Sequence, residues 1–501
     1  MTILHSSEYD QLLRFGQYFI GHEIPEFLNG WSRYVINKDL LLACHPQLEV
    51  LQEVRKGFNV TLIGYLIDPL HPSYDNKAVL NELIADEKFS RVPFVSTDRF
   101  GGRWIIIVHN TDDTILFADP AGLRQIYYTH LGSDDAIRCS CEPGLLAITC
   151  NLHMNEDSLA FQNSLGCQET SEYWWPGTIT PFSSITRLLP NHYLSLKACK
   201  AVRFWPHEDI VSSSIEDVLH LIAQRLPALM SAILKRGTVT ASLTAGWDSR
   251  MILAACREIT TQLEFMTVQQ CGMQRNHADL VIPRLLSQQL GFRHKVIDEA
   301  KKEDVRQSFR QAYRDSIILY HEKWLPDAQT IFDSYQHSTI VVVGSMAETG
   351  RLFYDWAFSD NKEITPETLA KTTKLGNHPY TLMAFNHWLE SIQDVKGYSL
   401  ADIFYWEQRA GRWLATSQLE FGMVWKDIFA PFNNRELLTA MLSVDSSARR
   451  GPDYPFFRML IEEMWQKALS APINPHQVAG KQSFTRRLIR RAKRMIDNVR
   501  L

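Results

Sequence analysis

The hydrophobic positions of residues 1–205 fall into short runs that are separated by turn-forming residues. These runs are rich in β-branched and aromatic side chains, which is typical of strands. The clearest runs are NVTLIGYLID (59–68), GRWIIIVHN (102–110), TILFAD (114–119) and QIYYTH (125–130). A helical pattern intervenes at 76–89. We therefore predict a layered, β-rich domain over 1–205, ending near RFWPHED (203–209), whose proline and charges indicate a linker.

The pattern changes in residues 206–501, where helical and strand-like segments alternate. Helical periodicity is found at 212–237, 249–259 and 279–291, and apolar strand-like runs at 238–243, 262–268 and 294–298. The segment 338–350 is predicted to be a further buried strand that ends in a loop of small residues. Alternation of this kind predicts a doubly wound parallel sheet built with right-handed crossovers. Added helices are predicted in the last third, notably over 402–429. The predicted fold class is α/β.

Chain length, net charge and cysteine content limit the classes of protein to which the chain can belong. The chain has 501 residues, enough for two or three domains, and a net charge of −4, which does not indicate a nucleic-acid partner. No run of about 18 apolar residues suggests a spanning helix, and the first residues do not resemble a secretory signal. The eight cysteines include no CxxC pair, so reduced thiols in a cytoplasmic protein are the simplest interpretation.

Two loops carry candidate chemistry: TAGWDSR (244–250) and GSMAE (344–348). Each follows an apolar strand, and ligands of parallel α/β sheets bind at the carboxyl ends of strands. Thr244 and Ser249 offer hydroxyl donors to a phosphate, and Asp248 and Glu348 are candidates to share a Mg²⁺ ion. The alternative for the first loop is a plain strand-to-helix turn with a capped helix.

The segment SLTAGWDSR (242–250) is similar to the PP-loop of ATP pyrophosphatases, whose usual form is S-G-G-x-D-S. More narrowly, the chain resembles the asparagine synthetase family over about residues 57–450. The resemblance rests on FADPAGLRQIYYT (117–129), PFSSITRLLPNHYLSL (181–196), HADLVIPRLLSQQLGFRHKVID (277–298) and VGSMAETGRLFY (343–354). It implies an Ntn-type, class II glutamine amidotransferase-like domain over 1–205 and an ATP-binding synthetase domain over 206–501.

The resemblance also implies a set of site residues. ATP would be bound by Leu243, Thr244, Ala245, Gly246, Asp248, Ser249, Val268, Val343 and Gly344, with Mg²⁺ on Asp248 and Glu348. Lys481 matches a late lysine that contacts pyrophosphate in the family. Arg250 is expected either to reach a phosphate or a substrate anion, or to form an ion pair on the helix surface. Thr244 and Ala245 replace the usual serine and glycine of the loop.

Two departures bear on function. Glutamine-hydrolysing members of the family use a cysteine at position 2, where this chain has Thr2. The chain is similar in that respect to β-lactam synthetases and lasso-peptide cyclases, so we expect a substrate amine, free ammonia or a separate glutaminase to supply nitrogen. Ser345 stands where asparagine synthetases carry Glu and β-lactam synthetases carry Tyr, and serine is a poor general base at neutral pH.

We therefore expect an ATP-dependent ligase that activates a small-molecule, glycan or peptide carboxylate as an acyl-adenylate. The alternatives are a catalytically degenerate nucleotide-binding or scaffold protein, and sulfur transfer to tRNA, which needs a reactive cysteine near the loop. The segment FYWEQRAGRW (404–413) is expected either to line a substrate pocket or to form a packed core helix. The basic tail 485–501 is either an amphipathic helix on the inner membrane surface or a solvated terminus. His294 is expected to be structural.

Overall fold

The protein, described by a computed structural model over residues 9–55, 57–130, 137–165, 173–270, 272–298, 301–354 and 364–475, is a mixed α/β structure with three sheets. Two six-stranded sheets are antiparallel and are formed by residues before 205. A five-stranded sheet is parallel and is formed by residues after 235. The predicted α/β class is confirmed, while the domain boundary at 205/206 stays a prediction.

The two antiparallel sheets contain twelve strands. The first sheet has the order β10-β8-β9-β1-β3-β2 and the second β12-β11-β7-β6-β5-β4. The strands are β1 (Tyr18–Gly21), β2 (Ser32–Asn37), β3 (Leu40–Cys44), β4 (Val50–Arg55), β5 (Phe58–Ile67), β6 (Gly101–His109), β7 (Thr114–Ala118), β8 (Tyr127–His130), β9 (Ile137–Ser140), β10 (Thr186–Arg187), β11 (His192–Ser195) and β12 (Lys200–Arg203).

Alternation along β6 explains how the second sheet is covered on both faces. Ile105 and Ile107 pack in the core shared with the first sheet, which also contains Phe19 and Leu42. Ile106, one residue out of phase, packs in a separate core that includes buried residues of the helix Asn76–Ala85. Because successive side chains of a strand point to opposite faces, a nearly all-apolar strand such as β6 needs a partner on each side. The result is a layered helix–sheet–sheet arrangement.

The parallel sheet has the order β15-β14-β13-β16-β17. Its strands are β13 (Thr238–Ser242), β14 (Glu264–Val268), β15 (His294–Ile297), β16 (Thr339–Val342) and β17 (Asp427–Phe429). From β13 the chain first builds outward through β14 and β15, then returns to place β16 on the other side of β13. The reversal between β13 and β16 is the feature of a doubly wound sheet where ligands bind.

Helices surround the parallel sheet and extend beyond it. Trp247–Ala255 follows β13 directly, and Ala278–Leu290 continues through Pro283 between β14 and β15. The remaining helices among the described residues are Pro93–Ser96, Pro143–Thr149, Glu156–Ser164, Ile215–Leu234, Gln307–Ser316, Leu325–Tyr335, Pro366–Thr373, Pro379–Ser391, Leu400–Phe404, the π-helix Tyr405–Leu414, Ala415–Gly422, Arg435–Ser443, Ser446–Arg449 and Pro455–Trp465.

The end of the predicted helical stretch 402–429 is corrected by the structure. The helical segment ends at Gly422, and residues 427–429 form β17 instead. Ile428 and Phe429 are buried and pair with β16, so tertiary pairing at the sheet edge decides their conformation.

Residues on both sides of position 205 share buried contacts. Asp427 at the start of β17 accepts from Arg103 at 3.4 Å and from Arg124 at 3.3 Å. The predicted linker 203–209 is anchored rather than free, because Trp205 is buried and packs on Trp406 with ring centroids 4.6 Å apart. The antiparallel sheets therefore support the parallel sheet directly.

One helix in the described part of the chain, Ile215–Leu234, is long and apolar enough to cross a membrane by length and composition alone. Its side chains Ile222, Leu226 and Leu229 are fully buried in the core that contains the parallel sheet. That packing is ordinary for a core helix. The tail 485–501 lies outside the described residues.

Candidate functional site

The two predicted loops meet at one edge of the parallel sheet. β13 and β16 are parallel neighbours, with Ala241 opposite Val342. The loops that leave their carboxyl ends therefore emerge side by side, at the point where the strand order reverses. Leu243 and Val343 extend the sheet beyond the strands, since Leu243 N–H donates to the Met266 carbonyl oxygen at 2.8 Å and Val343 N–H to that of Phe429 at 2.9 Å.

The first loop is closed by its own hydroxyl groups. Thr244 N–H donates to Ser249 Oγ at 3.0 Å, and the two hydroxyl oxygens lie 3.0 Å apart. Gly246 N–H donates to Thr244 Oγ1 at 3.2 Å, and Gly246 is the N-cap residue of the helix Trp247–Ala255. A compact turn at a helix N-terminus presents amide and hydroxyl donors, which is the arrangement that binds phosphate groups.

An acidic side chain contacts the same loop from a neighbouring helix. Asp279 Oδ1 accepts from Ala245 N–H at 2.8 Å. Asp279 lies in the first turn of Ala278–Leu290, which follows β14 at the same sheet edge. In the structure a protein carboxylate therefore already occupies one of the loop's amide donors.

A close backbone contact joins the two loops. A Cβ atom on Gly344 would lie 2.7 Å from the carbonyl carbon of Asp248 and 2.9 Å from its carbonyl oxygen. Real Cβ atoms do not approach backbone atoms so closely, so this position requires glycine. The contact fixes Asp248 relative to the loop that carries Glu348.

Asp248 and Glu348 are brought together with an arginine that sequence reasoning missed. Arg351 Nη2 donates to Asp248 Oδ2 at 2.8 Å and lies 3.8 Å from Glu348 Oε1. Burial, and then the neighbouring Glu348, raises the pKa of Asp248 from 3.8 to about 7, although Arg351 opposes this shift. Asp248 Oδ1 is buried and accepts no hydrogen bond from an N–H group of the described residues, and its carboxyl group lies within hydrogen-bonding reach of Glu348. Two carboxyl groups thus share a confined space with one guanidinium group on their flank.

The segment before Arg351 adopts an unusual backbone conformation. Met346 is fully buried and has φ of +76°, a region that favours glycine. Burial of the Met346 side chain holds this conformation, and the 3-10 turn that follows carries Glu348. Non-glycine residues in this region cluster at functional sites.

A cleft of about 280 Å³ lies beside the first loop. It is lined by four of the predicted site residues, Thr244, Val268, Val343 and Ser345. Its other walls include apolar side chains such as Met266 and Val341. A mainly apolar cleft with a few polar groups at one end is typical of a small-molecule site.

A second cleft, also of about 280 Å³, adjoins the first. The two share Ser345 and Asp327 among their lining residues, and the second is further lined by Glu348, Tyr405 and Arg409. Glu348 therefore faces the second cleft, beside the loop that lines the first.

Residues of the segment 404–413 take both predicted roles, because some pack in the core and others line a cleft. Glu407 is buried in an ion pair with Arg203, and Arg412 donates to the carbonyl oxygens of Trp175 and Ile179 at 2.5 and 2.9 Å, as expected of a core helix. Arg409 instead lines the second cleft. The π-helical winding of Tyr405–Leu414 accompanies this split, and π-helices are frequent at functional sites.

The structure places Arg250 away from the loop. Its guanidinium group is buried and donates to the carbonyl oxygens of Ala468, Ala471 and Pro472 at 2.8, 2.9 and 3.2 Å. The expected surface ion pair is not found among the described residues, because Arg250 lies on the inner face of its helix. The expected phosphate contact stays a prediction, which these carbonyl contacts do not support. Lys481 lies outside the described residues. His294 contacts Thr267 Oγ1 at 2.9 Å inside the sheet edge, a structural position.

Two residues of the site that were not predicted, Arg351 and Asp279, each have a recognisable feature in the sequence. Arg351 is a charge inside an otherwise apolar segment, GRLFY. Asp279 is an acid in the first helical turn after a neighbouring strand, which places it at the same sheet edge as the loops. A further group of ligand-type side chains, Asp68, His71 and Glu82, lies elsewhere and already holds the guanidinium of Arg99.

No protein-family model matches the chain, and no curated protein is significantly similar to it. Among solved structures it is similar to an allosteric regulatory enzyme of purine biosynthesis, at 10% identity and a TM-score of 0.25, covering 61% of this chain and 76% of the other. It is also similar to glutamine phosphoribosylpyrophosphate amidotransferase from B. subtilis, at 9% identity and a TM-score of 0.24, covering 73% of this chain and 74% of the other. At such scores neither likeness carries an argument about fold or function.

Proposed function

We propose that the chain is an ATP-dependent carboxylate–amine ligase that forms an acyl-adenylate and releases pyrophosphate. The observation that carries the proposal is the meeting of two strand-end loops at the point where the sheet order reverses. Those loops bring Asp248 and Glu348 together beside a donor-rich turn and next to an apolar cleft. The two loops, their hydroxyl groups and the two carboxylates were predicted from the sequence, and the shared sheet edge supports their acting as one site.

In this proposal ATP lies along the first cleft. Apolar side chains such as Val268 and Val343 would contact the adenine ring. Phosphate oxygens would replace the hydroxyl oxygens that now accept from the amides of Thr244 and Gly246. A phosphate entering there would displace Asp279 from Ala245 N–H, so binding is expected to move that carboxylate.

The carboxyl pair fits a Mg²⁺ ion. Asp248 Oδ1 is buried without an N–H donor in the described part of the chain, and Glu348 lies beside Asp248, so two hard oxygen ligands are available to one ion. Mg²⁺ bound there would supply positive charge to a departing pyrophosphate. The chain's own contribution is to hold Asp248 and Glu348 together, with Arg351 balancing part of their charge.

The bond changes follow from this placement. A substrate carboxylate oxygen attacks the α-phosphorus of ATP, and the bond between the α-phosphorus and the bridging oxygen breaks. An amine then attacks the acyl carbon, AMP leaves with the electrons of the acyl–oxygen bond, and the amine loses a proton. Positioning and charge neutralisation provide most of the rate enhancement in such reactions.

The nitrogen source in this proposal is a substrate amine or ammonia, the latter free or from a separate glutaminase. Thr2, which stands at the usual nucleophile position, lies outside the described residues. The proposed substrates are small-molecule, glycan or peptide carboxylates in cell-surface glycan or secondary-metabolite biosynthesis. We place the protein in the cytoplasm, without a nucleic-acid partner and with 485–501 as a candidate contact to the inner membrane surface.

The proposal is tested by exchange of labelled pyrophosphate into ATP. The purified chain is incubated with Mg²⁺, ATP and a panel of carboxylic acids, without any amine, and carboxylate-dependent exchange is expected. Glu348→Ala should suppress the exchange, whereas Glu216→Ala, in the first turn of a distant helix, should not. Exchange that is independent of Glu348 would contradict the site, and absence of exchange with every acid would contradict the proposal.

Two observations favour a second candidate, a nucleotide-binding or scaffold protein without turnover. Arg351 contacts Asp248 at 2.8 Å, and Asp279 occupies a loop amide. Tight ATP binding with no exchange and no hydrolysis would identify this second function. The sulfur-transfer alternative gains no support from Cys256, because that thiol is buried and burial raises its pKa.

A further inference from the structure

Among the residues that the structure describes, the half-buried guanidinium group of Arg409 has no counter-ion. Its guanidinium carbon lies 3.8 Å above the ring of Trp413, and it forms no ion pair or hydrogen bond in the described part of the chain. By comparison, the neighbouring Arg412 donates to the carbonyl oxygens of Trp175 and Ile179, and the nearby Arg351 donates to the carboxylate of Asp248. A guanidinium group stacked on an aromatic ring keeps its edge N–H groups free to bind an anion in the plane.

The ring beneath Arg409 also has an unused donor. Trp413 Nε1 is buried and has no hydrogen-bond acceptor within the described ranges of the chain. Both Arg409 and Trp413 line the second cleft. Buried N–H groups are normally paired, so two unpaired donors in one cleft point to an acceptor that binds there.

The aromatic walls of the second cleft indicate what kind of ligand fits there. Trp324, Tyr405 and Phe421 add aromatic surface to that of Trp413. Tyr405 keeps its proton at neutral pH, because burial raises its pKa well above 10. Flat aromatic walls favour a ligand built on a ring rather than a flexible chain.

We propose that Arg409 and Trp413 bind a second anionic group on the substrate, so that the substrate is a cyclic acid with two anionic groups. One carboxylate would be activated near Glu348, which lines the same cleft, and the other anion would lie against the Arg409 edge and Trp413 Nε1–H. The inference rests on the proposed ligase function for the first carboxylate. The second group is an oxyanion, which a carboxylate or a phosphate can provide.

Binding to the full chain without ATP tests the site independently of catalysis. The probes are benzoate, isophthalate and 4-carboxyphenyl phosphate, and binding is followed by tryptophan fluorescence and calorimetry. At least one of the two doubly anionic probes should bind roughly 10- to 100-fold more tightly than benzoate, as expected for charge-assisted hydrogen bonds. Which of them binds more tightly distinguishes a carboxylate from a phosphate as the second group.

Single variants test the contributions of Arg409 and Trp413 to anion binding separately. Arg409→Gln should reduce both probes to the affinity of benzoate, and Arg409→Lys should restore only part of the loss because it lacks the planar fork. Trp413→Phe keeps a ring for stacking but removes the N–H donor, and should weaken the doubly anionic probes several-fold. Arg33→Gln, at an exposed arginine of β2, is the matched control and should change nothing.

The outcomes distinguish this inference from the ligase proposal. Equal affinity for benzoate and both other probes, or unchanged binding in Arg409→Gln, would overturn the inference even if pyrophosphate exchange occurs. A preference that depends on Arg409 would support the anion site even if no acid promotes exchange, and the ligase proposal alone would then fail. If Arg409→Gln does not fold, the Trp413→Phe comparison decides between these results.

Discussion

Replacing Asp248 by asparagine should remove a pH dependence from the stability of the loop–helix unit at the site. Burial and Glu348 raise the pKa of Asp248 from 3.8 to about 7, against the influence of Arg351. Between these two values the folded chain holds a proton that the unfolded chain has lost. Because the folded state binds more protons, its stability falls as pH rises, and the loss is complete above about pH 7.

The size of the effect follows from the shift. Each pH unit between the two pKa values changes the free energy of unfolding by about 1.4 kcal/mol, and the change levels off around the higher value, so raising the pH from 5 to 8 should cost the wild type about 3 kcal/mol at this site. Asparagine does not titrate, and it can still accept the hydrogen bond from Arg351. Below about pH 7 the folded wild type is also uncharged at this position, so the variant loses the favourable interaction of a carboxylate with the helix N-terminus, about 0.3–1 kcal/mol, only at higher pH.

Hydrogen exchange measured by mass spectrometry reports the local opening free energy of Trp247–Ala255. After correction for intrinsic exchange rates, the wild type should lose about 3 kcal/mol relative to Asp248→Asn between pH 5 and 8. Asp217→Asn, at an exposed first-turn aspartate, is the control and should run parallel to the wild type. Adding about 10 mM Mg²⁺ should flatten the wild-type curve at high pH, because the ion binds the ionised pair.

Parallel curves for the wild type and Asp248→Asn would refute the reasoning. They would mean that Asp248 is ionised throughout and that Arg351 alone neutralises it. If the wild-type curve differs from that of the variant but does not change on addition of Mg²⁺, the titration of the carboxyl pair would be supported and its role as a Mg²⁺ site would be contradicted.

The remaining predictions concern other positions. Gly344→Ala should destabilise the protein by about 1–3 kcal/mol, seen as a lower Tm, and weaken ATP binding, because its Cβ would meet the Asp248 backbone at 2.7 Å; normal binding would refute the close contact. Arg250→Met should lower the free energy of unfolding by about 1–3 kcal/mol and raise hydrogen exchange over residues 466–473, because the contacts to the carbonyl oxygens are lost. The ATP affinity should change by less than about twofold, and a large loss of ATP affinity would show that Arg250 contacts a phosphate. Glutamine should not support product formation, and glutamate release that is abolished by Thr2→Ala would contradict the loss of glutaminase activity.

Much of the fold was predictable because its signals are local. Strands such as β5 and β6 and the alternation through 238–298 are visible in residue type and period. The structure matches these strands to within about two residues, whereas the helix predicted over 249–259 is observed as Trp247–Ala255. The position of the two loops at one sheet edge followed from the general rule for parallel sheets.

What the sequence did not reveal depends on long-range placement. Arg250 follows the loop directly in sequence, yet the helix turns its side chain inward toward 468–472. Arg351 reaches Asp248 from a position 103 residues later. The pairing of 427–429 with β16 likewise overrides a helical pattern. Contacts of this kind follow from tertiary packing, which a periodic pattern does not encode.

The central claim, formation of an acyl-adenylate at the site of Asp248 and Glu348, is tested most directly by the bond of ATP that is cut. The purified chain is incubated with Mg²⁺, ATP labelled at the α-phosphate, the acids that promote pyrophosphate exchange, and an amine donor such as ammonium, and the labelled nucleotide is identified. The account predicts labelled AMP in an amount equal to the amide formed, and its loss in Glu348→Ala. Labelled ADP would contradict adenylation and with it the proposed ligase mechanism.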